Sequence, residues 1–252
     1  MRRILDRDNL DILAQLAWSR VLLGFDFDGT LAPIVADRDA AVMRSETAAL
    51  FAEVCSLYPC AVISGRSRAD VAERVGAAQV KYFVGNHGME PQGASAGGRP
   101  EIAAAAELLG RALAEHAGVD IEDKQYSLAI HYRRSRRTRE ARAAITCAIA
   151  ALPTPMRTVA GKMVVNVVPA HAPHKGDALL ELREREGAST ALYVGDDVTD
   201  EDVFAIDQPG RLVSVRIGES KASAAKYFVR NQREIDALLT KLALHRREQR
   251  RG

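Results

Sequence analysis

Cysteines, aromatic residues and long apolar runs are all scarce in this chain of 252 residues. Its three cysteines, Cys55, Cys60 and Cys147, have neither metal-ligand spacing nor the even number of a disulfide framework, which predicts a reducing, cytoplasmic location. No stretch approaches the roughly 18 apolar residues of a membrane span, and the N-terminal residues lack the apolar core and cleavage site of a signal peptide. We therefore expect no membrane partner.

The chain also lacks an excess of charge of either sign, because 35 basic and 33 acidic residues leave a formal charge of +2. Such a balance produces no overall field that would concentrate nucleic acid, so we expect no nucleic-acid partner. The two most basic stretches, residues 133–139 and 245–251, are typical of solvated helix faces and chain ends. The oligomeric state stays open at this stage, with a monomer favoured.

Short apolar runs that end in Gly, Asp or Ser predict buried strands at residues 21–27, 61–64, 82–85, 191–195 and 212–217. Segments with helical periodicity lie between or after them, at residues 46–57, 68–75, 176–186 and 234–245. This alternation is typical of a parallel sheet with helices on both faces. The sequence therefore predicts an α/β fold with a doubly wound, Rossmann-like core, in which ligands bind beyond the carboxyl ends of the strands.

A second, smaller α+β domain is predicted as an insertion in that core. The glycine-rich stretch 93–98 has loop composition, and two prolines at 169 and 173 mark the return to the main sheet. Between them the pattern predicts helices at 101–116 and 136–151 and strands at 127–131, 156–159 and 163–168. We expect a catalytic core of residues 1–91 and 173–252 and a cap of residues 92–172.

The segment GFDFDGTLAPI, residues 24–34, places Asp26 and Asp28 where a buried strand meets a Gly-Thr turn. Two carboxylates that converge there repel each other unless a cation neutralises them, and hard oxygen ligands suit Mg²⁺. With the metal bound, Asp26 is placed to attack phosphorus, and Asp28 to protonate the leaving oxygen and later to deprotonate water. An acidic turn that caps a helix is the structural alternative, but the DxDGT pattern after an apolar strand favours catalysis.

Two further segments indicate phosphate binding. Ser64, Gly65 and Arg66 follow the second apolar run, where a hydroxyl and backbone N–H groups can bind an anion. Lys175 begins a predicted helix, and its ammonium could offset the charge of phosphate and carboxylates together.

An acidic segment, GDDVTDED, follows the strand at 191–195. Asp196 comes directly after that strand and is the expected third metal ligand. Asp197 and Asp200 are expected either to orient the ligands or to replace one of them. Acidic residues at a helix N-terminus also stabilise the helix, and that account holds for some of this cluster.

In this order, the aspartate pair, Ser64, Lys175 and the Asp196 cluster resemble the four signatures of the haloacid-dehalogenase-like phosphatases. The motifs DFDGTLAPI, SGR, NHGME, EDKQYSLAIHYR, GKMVVNVVP, HKG and GDDVTDEDVF further resemble the trehalose-6-phosphate phosphatase family, over about residues 22–204. The resemblance implies a small sugar phosphate as substrate, Mg²⁺ as cofactor and a cap that covers the sugar.

The resemblance also implies roles for individual residues. It makes Asp26 the nucleophile, Asp28 the acid/base, Ser64 and Lys175 phosphate ligands, and Asp26, Asp28 and Asp196 the metal site, with Asp197 and Asp200 assisting. In the cap, the family's pattern implies that Glu122, Lys124, His131, Arg133 and Lys162 bind substrate, and we expect the same of Arg66, His87, Glu90 and Asn166.

Several structural alternatives remain for these residues. His87 and Glu90 could instead brace their loop, Glu122 and Lys124 could form an exposed ion pair, and His131 could be structural. Asn166 departs from the family, which usually has glutamate at that position, and an amide presents one acceptor and one donor group where a carboxylate presents only acceptors. The sequence therefore leaves open a phosphatase for another phosphorylated sugar or pseudo-disaccharide. A phospho-accepting signalling domain and an inactive binding protein are more remote alternatives.

Overall fold

The computed structural model describes residues 1–91, 99–161, 163–206 and 208–251. The chain divides into two compact units, one formed by Met1–Gln92 and Pro173–Gly252 and the other by Gly93–Ala172. No helix among the described residues is both long enough and apolar enough to cross a membrane. The predicted loop at residues 93–98 and Lys162 lie outside the described residues.

The first unit is built on a parallel sheet. Within the described residues its strands are β1 (Arg2–Arg3), β2 (Val21–Phe25), β3 (Cys60–Ile63), β4 (Tyr82–Val84), β9 (Thr190–Gly195), β10 (Leu212–Ile217) and β11 (Tyr227–Val229). Their order across the sheet is β1-β11-β10-β9-β2-β3-β4, and every neighbouring pair is parallel. The strand that precedes Asp26 therefore lies between the strands that precede Ser64 and Asp196.

Helices cover both faces of this sheet: α1 (Leu10–Trp18), α2 (Ser45–Leu57), α3 (Arg68–Val75), α6 (Lys175–Arg185), α7 (Glu201–Phe204) and α8 (Ile235–Arg251). Alternate residues of β2 point to opposite faces. Phe25 packs edge-on against Phe51 of α2 at 5.3 Å between ring centroids, whereas Leu22 belongs to the core cluster that contains Leu179 of α6. The doubly wound α/β core predicted from the sequence is confirmed.

The second unit pairs two helices with an antiparallel sheet. Its elements are α4 (Pro100–Leu113), β5 (Asp120–Asp123), β6 (Leu128–His131), α5 (Thr138–Ala150), β7 (Met156–Gly161) and β8 (Val164–Pro169). The strand order is β5-β6-β8-β7. Ile102 and Leu109 of α4 and Ile145 of α5 form an apolar core with Leu128 and Ile130 of β6. This is the α+β arrangement expected of the inserted segment.

Sequence patterns missed four of these elements, namely β1, β5, β11 and α1. The strands β1, β5 and β11 are only two to four residues long, and β5 (DIED) is mostly polar and exposed. Such segments carry too few apolar positions for a period of two to emerge. They form because a neighbouring strand offers a backbone partner, as β11 does for β1.

Candidate functional site

The chemical groups predicted from the sequence gather at the carboxyl ends of three neighbouring strands of the first unit. Asp26 follows β2, Ser64 follows β3 and Asp196 follows β9. Parallel neighbours end at the same edge of a sheet, so these side chains meet there. Lys175, the first residue of α6, adds its ammonium to the same group.

Lys175 lies between two buried carboxylates. Its Nζ is 3.0 Å from Oδ1 of Asp26 and 2.8 Å from Oδ1 of Asp200. The Lys175 side chain is 1% exposed, and those of Asp26 and Asp200 are 6% and 0% exposed. An ammonium that is shielded from water and held by two carboxylates stays protonated, and the two aspartates raise the pKa of Lys175 even though burial alone would lower it.

The carboxylate of Asp200 accepts hydrogen bonds on both oxygens. Oδ1 accepts from Nζ of Lys175 and from the hydroxyl of Tyr193, each at 2.8 Å. Oδ2 accepts from the backbone N–H groups of Asp196 at 2.8 Å and Asp197 at 2.9 Å. These four donors match the roughly four lone-pair positions of a carboxylate. Asp200 therefore fixes the backbone of the turn that presents Asp196.

Three carboxylates at this edge are close enough to share a metal ion. One oxygen each from Asp26, Asp196 and Asp200 lies within 4.8 Å of the others. The oxygens of Asp200 already accept hydrogen bonds, so they have less capacity left for a metal than those of Asp26 and Asp196. Asp197 lies outside this group, and its exposed carboxylate instead accepts from the N–H of Val198 at 2.7 Å, as a helix cap.

Burial and mutual repulsion raise the pKa values of two of these carboxylates, Asp26 and Asp196. Burial, followed by the charge of Asp200, raises the pKa of Asp196 to about 7, although Lys175 opposes the shift. Burial also raises the pKa of Asp26, with Lys175 opposing it and Asp200 adding to it. A cation relieves such repulsion, so the chemistry of this donor set fits a hard divalent metal.

Two glycines allow the carboxylates to approach the backbone closely. Gly29 has φ +85°, and a Cβ there would collide with the carboxylate of Asp196. A Cβ on Gly195 would collide with the carboxylate of Asp200. The Gly29 of the DGT turn thus has a steric role that goes beyond turn formation.

Asp28 does not join the shared-metal group through its side chain. Its two carboxylate oxygens accept from Nε and Nη2 of Arg66, each at 2.7 Å. The Arg66 side chain is fully buried, and its Nη1 donates to Asp70 at 2.9 Å. The structure therefore places Arg66, which we expected to bind substrate, against the expected acid/base.

The remaining core residues predicted to bind substrate lie in two loops that contact each other. Ser64 is buried, and its hydroxyl accepts from the N–H of Arg66 at 3.2 Å. The ring of His87 lies against Gly65, at a position where a Cβ would collide with it. Glu90 accepts from the N–H of Arg68 at 2.8 Å and from Nδ2 of Asn86 at 2.9 Å. Glu90 thus braces its loop, and its contact with substrate stays a prediction.

Three of the residues predicted to bind the sugar, Glu122, His131 and Asn166, lie on the sheet face of the second unit opposite α4 and α5. Nε2 of His131 is 3.0 Å from Oε2 of Glu122, and Nζ of Lys124 is 3.9 Å from the same oxygen. Asn166 of β8 lies on this face because its neighbours Val165 and Val167 face the helices. Arg133 is exposed after β6. The register places Glu122, Ala129 and Asn166 in one row across the sheet.

Sequence reasoning missed two residues of the site, Tyr193 and Asp70. Tyr193 lies inside β9 and reads as a core residue, yet its hydroxyl donates to Asp200. Asp70 lies in the first turn of α3 and reads as a helix-stabilising charge, yet it binds Arg66. For Tyr193, the sequence offered one signal: a hydroxyl within an apolar strand, which usually has a hydrogen-bond partner when it is buried.

Comparisons with known proteins agree on one family. The sequence model of the family described as "Trehalose-phosphatase" matches residues 24–233. Proteins named trehalose-phosphate phosphatase from Mycobacterium avium and Mycobacterium ulcerans are 36% and 33% identical over 207 and 236 residues, which is 77% and 87% of this chain. Those alignments span 53% and 60% of the relatives' own lengths, so the chain matches little more than half of each.

Solved structures show a similar fold. The C-terminal domain of a trehalose-6-phosphate phosphatase from C. albicans aligns with a TM-score of 0.73 at 23% identity, over 93% of this chain and 96% of that one. A trehalose-6-phosphate phosphatase from Aspergillus fumigatus aligns with a TM-score of 0.67 at 25% identity, over 97% of this chain and 99% of that one. The two-unit α/β architecture is therefore shared over nearly the whole chain.

Proposed function

Because the chain belongs to the trehalose-phosphatase family, as its motifs indicated, we propose that it hydrolyses trehalose 6-phosphate to trehalose and phosphate through an aspartyl-phosphate on Asp26. The observation that carries this proposal is a buried carboxylate at a strand end, held at 3.0 Å by the ammonium of Lys175 and adjoining Asp196. The relatives' names supply the substrate, and the geometry supports the chemistry.

Lys175 prepares Asp26 for nucleophilic attack. Its ammonium contacts Oδ1, and within the described part of the chain no hydrogen-bond donor contacts Oδ2 of Asp26. The uncontacted oxygen is therefore the one we assign to attack on phosphorus. Lys175 keeps its proton, so it also supplies a positive charge for the incoming phosphate without leaving Asp26.

We propose Mg²⁺ as the cofactor, with Asp26 and Asp196 as its carboxylate ligands. The fit lies in the donor set, which consists of hard oxygen atoms whose pKa values are raised by burial and by one another. When bound, the metal offsets the charge of the carboxylates and of the phosphate. Asp200 holds the backbone of Asp196 in place, and the predicted metal contacts of Asp28 and Asp197 stay predictions.

Asp28 carries the proton transfers. As the phosphorus–oxygen bond to the sugar breaks, Asp28 gives a proton to the leaving oxygen, and an ester forms between Asp26 and phosphate. Asp28 then takes a proton from water, whose oxygen attacks phosphorus and releases phosphate and free Asp26. Its position two residues from Asp26, and 36% side-chain exposure, keep it accessible to a leaving group and to water.

We assign sugar recognition to the sheet face of the second unit that carries Glu122, His131 and Asn166. Carboxylate, imidazole and amide groups in neighbouring rows suit the hydroxyls of a disaccharide. The assignment of Lys124, Arg133 and Lys162 to substrate stays a prediction, as do a monomeric state and a cytoplasmic location. Because Asn166 stands where the family usually has glutamate, the alternative substrate is another phosphorylated sugar.

The test is phosphate release from trehalose 6-phosphate, sucrose 6-phosphate and glucose 6-phosphate, each with Mg²⁺ and with chelator. A Mg²⁺-dependent preference for trehalose 6-phosphate supports the proposal, whereas preference for another sugar keeps the mechanism and changes the substrate. A phosphorylated Asp26 that persists for hours without phosphate release would instead make the chain a phospho-accepting domain.

A further inference from the structure

The side chain of Asp28 is held by a guanidinium that belongs to the protein interior. Arg66 presents Nε and Nη2 to the two oxygens of Asp28, both at 2.7 Å. A two-point contact of this kind fixes the plane of the carboxylate, whereas a single contact leaves it free to rotate. The geometry therefore determines which way the oxygens of Asp28 point.

The guanidinium of Arg66 is in turn held by residues other than Asp28. Its guanidinium carbon lies 5.7 Å from the centre of the Phe27 ring, and its Nη1 donates to Oδ2 of Asp70 at 2.9 Å. Oδ1 of Asp70 accepts from Nε of Arg74 at 2.6 Å. Arg74 also donates to the backbone carbonyl of Ala41 at 3.1 Å. The contacts thus run from Asp28 through α3 to the segment that precedes α2.

The burial of Arg66 needs an explanation beyond stability. A fully buried guanidinium loses its hydration, and ion pairs recover that cost only when their geometry is good, so an apolar side chain in the same place is often as stabilising. Three of its five N–H groups are used by Asp28 and Asp70, which leaves little of the fork for a substrate phosphate. A contribution to stability therefore does not by itself account for Arg66, whereas the arrangement is suited to orienting Asp28.

We propose that Arg66 is a positioning residue, which acts on the reaction through Asp28 and is itself held by Asp70. This inference rests on the proposed function, because it assumes that Asp28 transfers protons during phosphate-ester hydrolysis. It does not depend on the identity of the sugar. Arg66 touches neither the substrate nor the reacting atoms in this account.

The test is a double-mutant cycle on kcat, with Mg²⁺ and with p-nitrophenyl phosphate and trehalose 6-phosphate as substrates. Arg66→Lys keeps the charge but loses the two-point contact, so we expect kcat to fall about 10- to 100-fold while KM does not rise. In an Asp28→Asn background the same change should slow turnover by no more than about twofold, because the group that it positions is already inactive. Asp70→Asn should give a smaller loss in the same direction.

The time course with p-nitrophenyl phosphate supplies a second readout. Nitrophenolate is a good leaving group that needs little protonation, so the first step should survive in Arg66→Lys while activation of water slows. We expect a burst close to one nitrophenolate per enzyme, followed by slow turnover, as for Asp28→Asn. Arg183→Lys is the matched control, since Arg183 is also buried in this unit but binds Gln208. It should change thermal stability without producing a burst.

Three outcomes with the variants would overturn the inference. Full additivity of Arg66→Lys and Asp28→Asn would mean that Arg66 acts independently of Asp28. A rise in KM with kcat unchanged would make Arg66 a phosphate ligand, and equal loss of burst and turnover would make it a structural residue. Wild-type protein that cleaves p-nitrophenyl phosphate but prefers another sugar changes only the substrate, whereas wild-type protein that cleaves no phosphate ester overturns both proposals.

Discussion

Replacing each of the two aspartates that contact Lys175 should separate fold stability from catalysis. Asp200 accepts four hydrogen bonds, from Lys175, Tyr193 and two backbone N–H groups, whereas the carboxylate of Asp26 has one polar contact among the described residues, with Lys175. Asp200→Asn turns an NH₂ group toward some of those donors and leaves them buried without a partner. Asp26→Asn leaves Lys175 with Asp200 as its counter-ion.

The expected magnitudes follow from these contacts. Hydrogen bonds to buried charged groups contribute about 1.5–3 kcal/mol each, and breaking a buried ion pair costs about 3–5 kcal/mol. We expect Asp200→Asn to lower the free energy of unfolding by about 3–5 kcal/mol. At about 2–4 °C per kcal/mol for a chain of this size, Tm should fall by about 6–20 °C. Asp26→Asn removes a carboxylate whose pKa is raised by burial, and should cost about 1 kcal/mol or less.

The assay is thermal unfolding in chelator, so that metal binding adds nothing to either variant. Asp202→Asn is the matched control, because Asp202 lies in the same acidic segment and its carboxylate makes none of the contacts of Asp200. Both Asp200→Asn and Asp26→Asn should abolish activity, but only Asp200→Asn should lower Tm substantially. A stable Asp200→Asn variant that has lost metal affinity would refute the reasoning and make Asp200 a direct ligand.

Four further predictions concern the reaction and its metal. Asp26→Asn should reduce phosphate release to background, because an amide is a far poorer nucleophile, and near-normal turnover would rule out the covalent intermediate. Asp196→Asn should weaken Mg²⁺ binding at least about tenfold by titration calorimetry, and unchanged affinity would move the ligand role to a neighbour. Asn166→Glu should raise kcat/KM for trehalose 6-phosphate relative to glucose 6-phosphate, whereas an unchanged ratio would place residue 166 away from the sugar. Since the pKa of Asp196 is raised from 3.8 to about 7, the metal-free protein should lose stability as pH rises from about 4 to about 7. Mg²⁺ competes with that proton, so the Tm increase that it causes should be larger at pH 8 than at pH 6, and equal increases would contradict this prediction.

The fold was predictable because its strands are short apolar runs that end in polar residues. The pattern around β2, β3 and β9 located both the strands and the edge at which Asp26, Ser64 and Asp196 meet. These positions could be predicted because a strand that is buried on both faces is apolar along its length. The first polar residue after such a run therefore marks the place where the strand leaves the core. The strand β11 escaped prediction because three residues are too few to show a period.

The division of labour within the acidic segment could not be predicted in this way. Asp196, Asp197 and Asp200 have the same chemistry and lie within five positions, but the path of the turn gives them different partners. Asp200 turns back onto the N–H groups of Asp196 and Asp197, while Asp197 caps the next turn. The partners of Arg66 were equally hidden, because its contact with Asp28 joins residues 38 positions apart.

The charges at this edge link the metal to the stability of the fold. With every group ionised, Asp26, Asp196 and Asp200 carry three negative charges, and Lys175 returns one positive charge. The net charge of minus two is that of a site completed by a divalent cation. Burial first, and repulsion from the neighbouring carboxylates second, raise the pKa values of Asp26 and Asp196, and without a cation the site reduces both costs by taking up protons. Metal and protons therefore compete for the same carboxylates, and Asp200, with its oxygens already hydrogen-bonded, keeps the turn of Asp196 in place in either state.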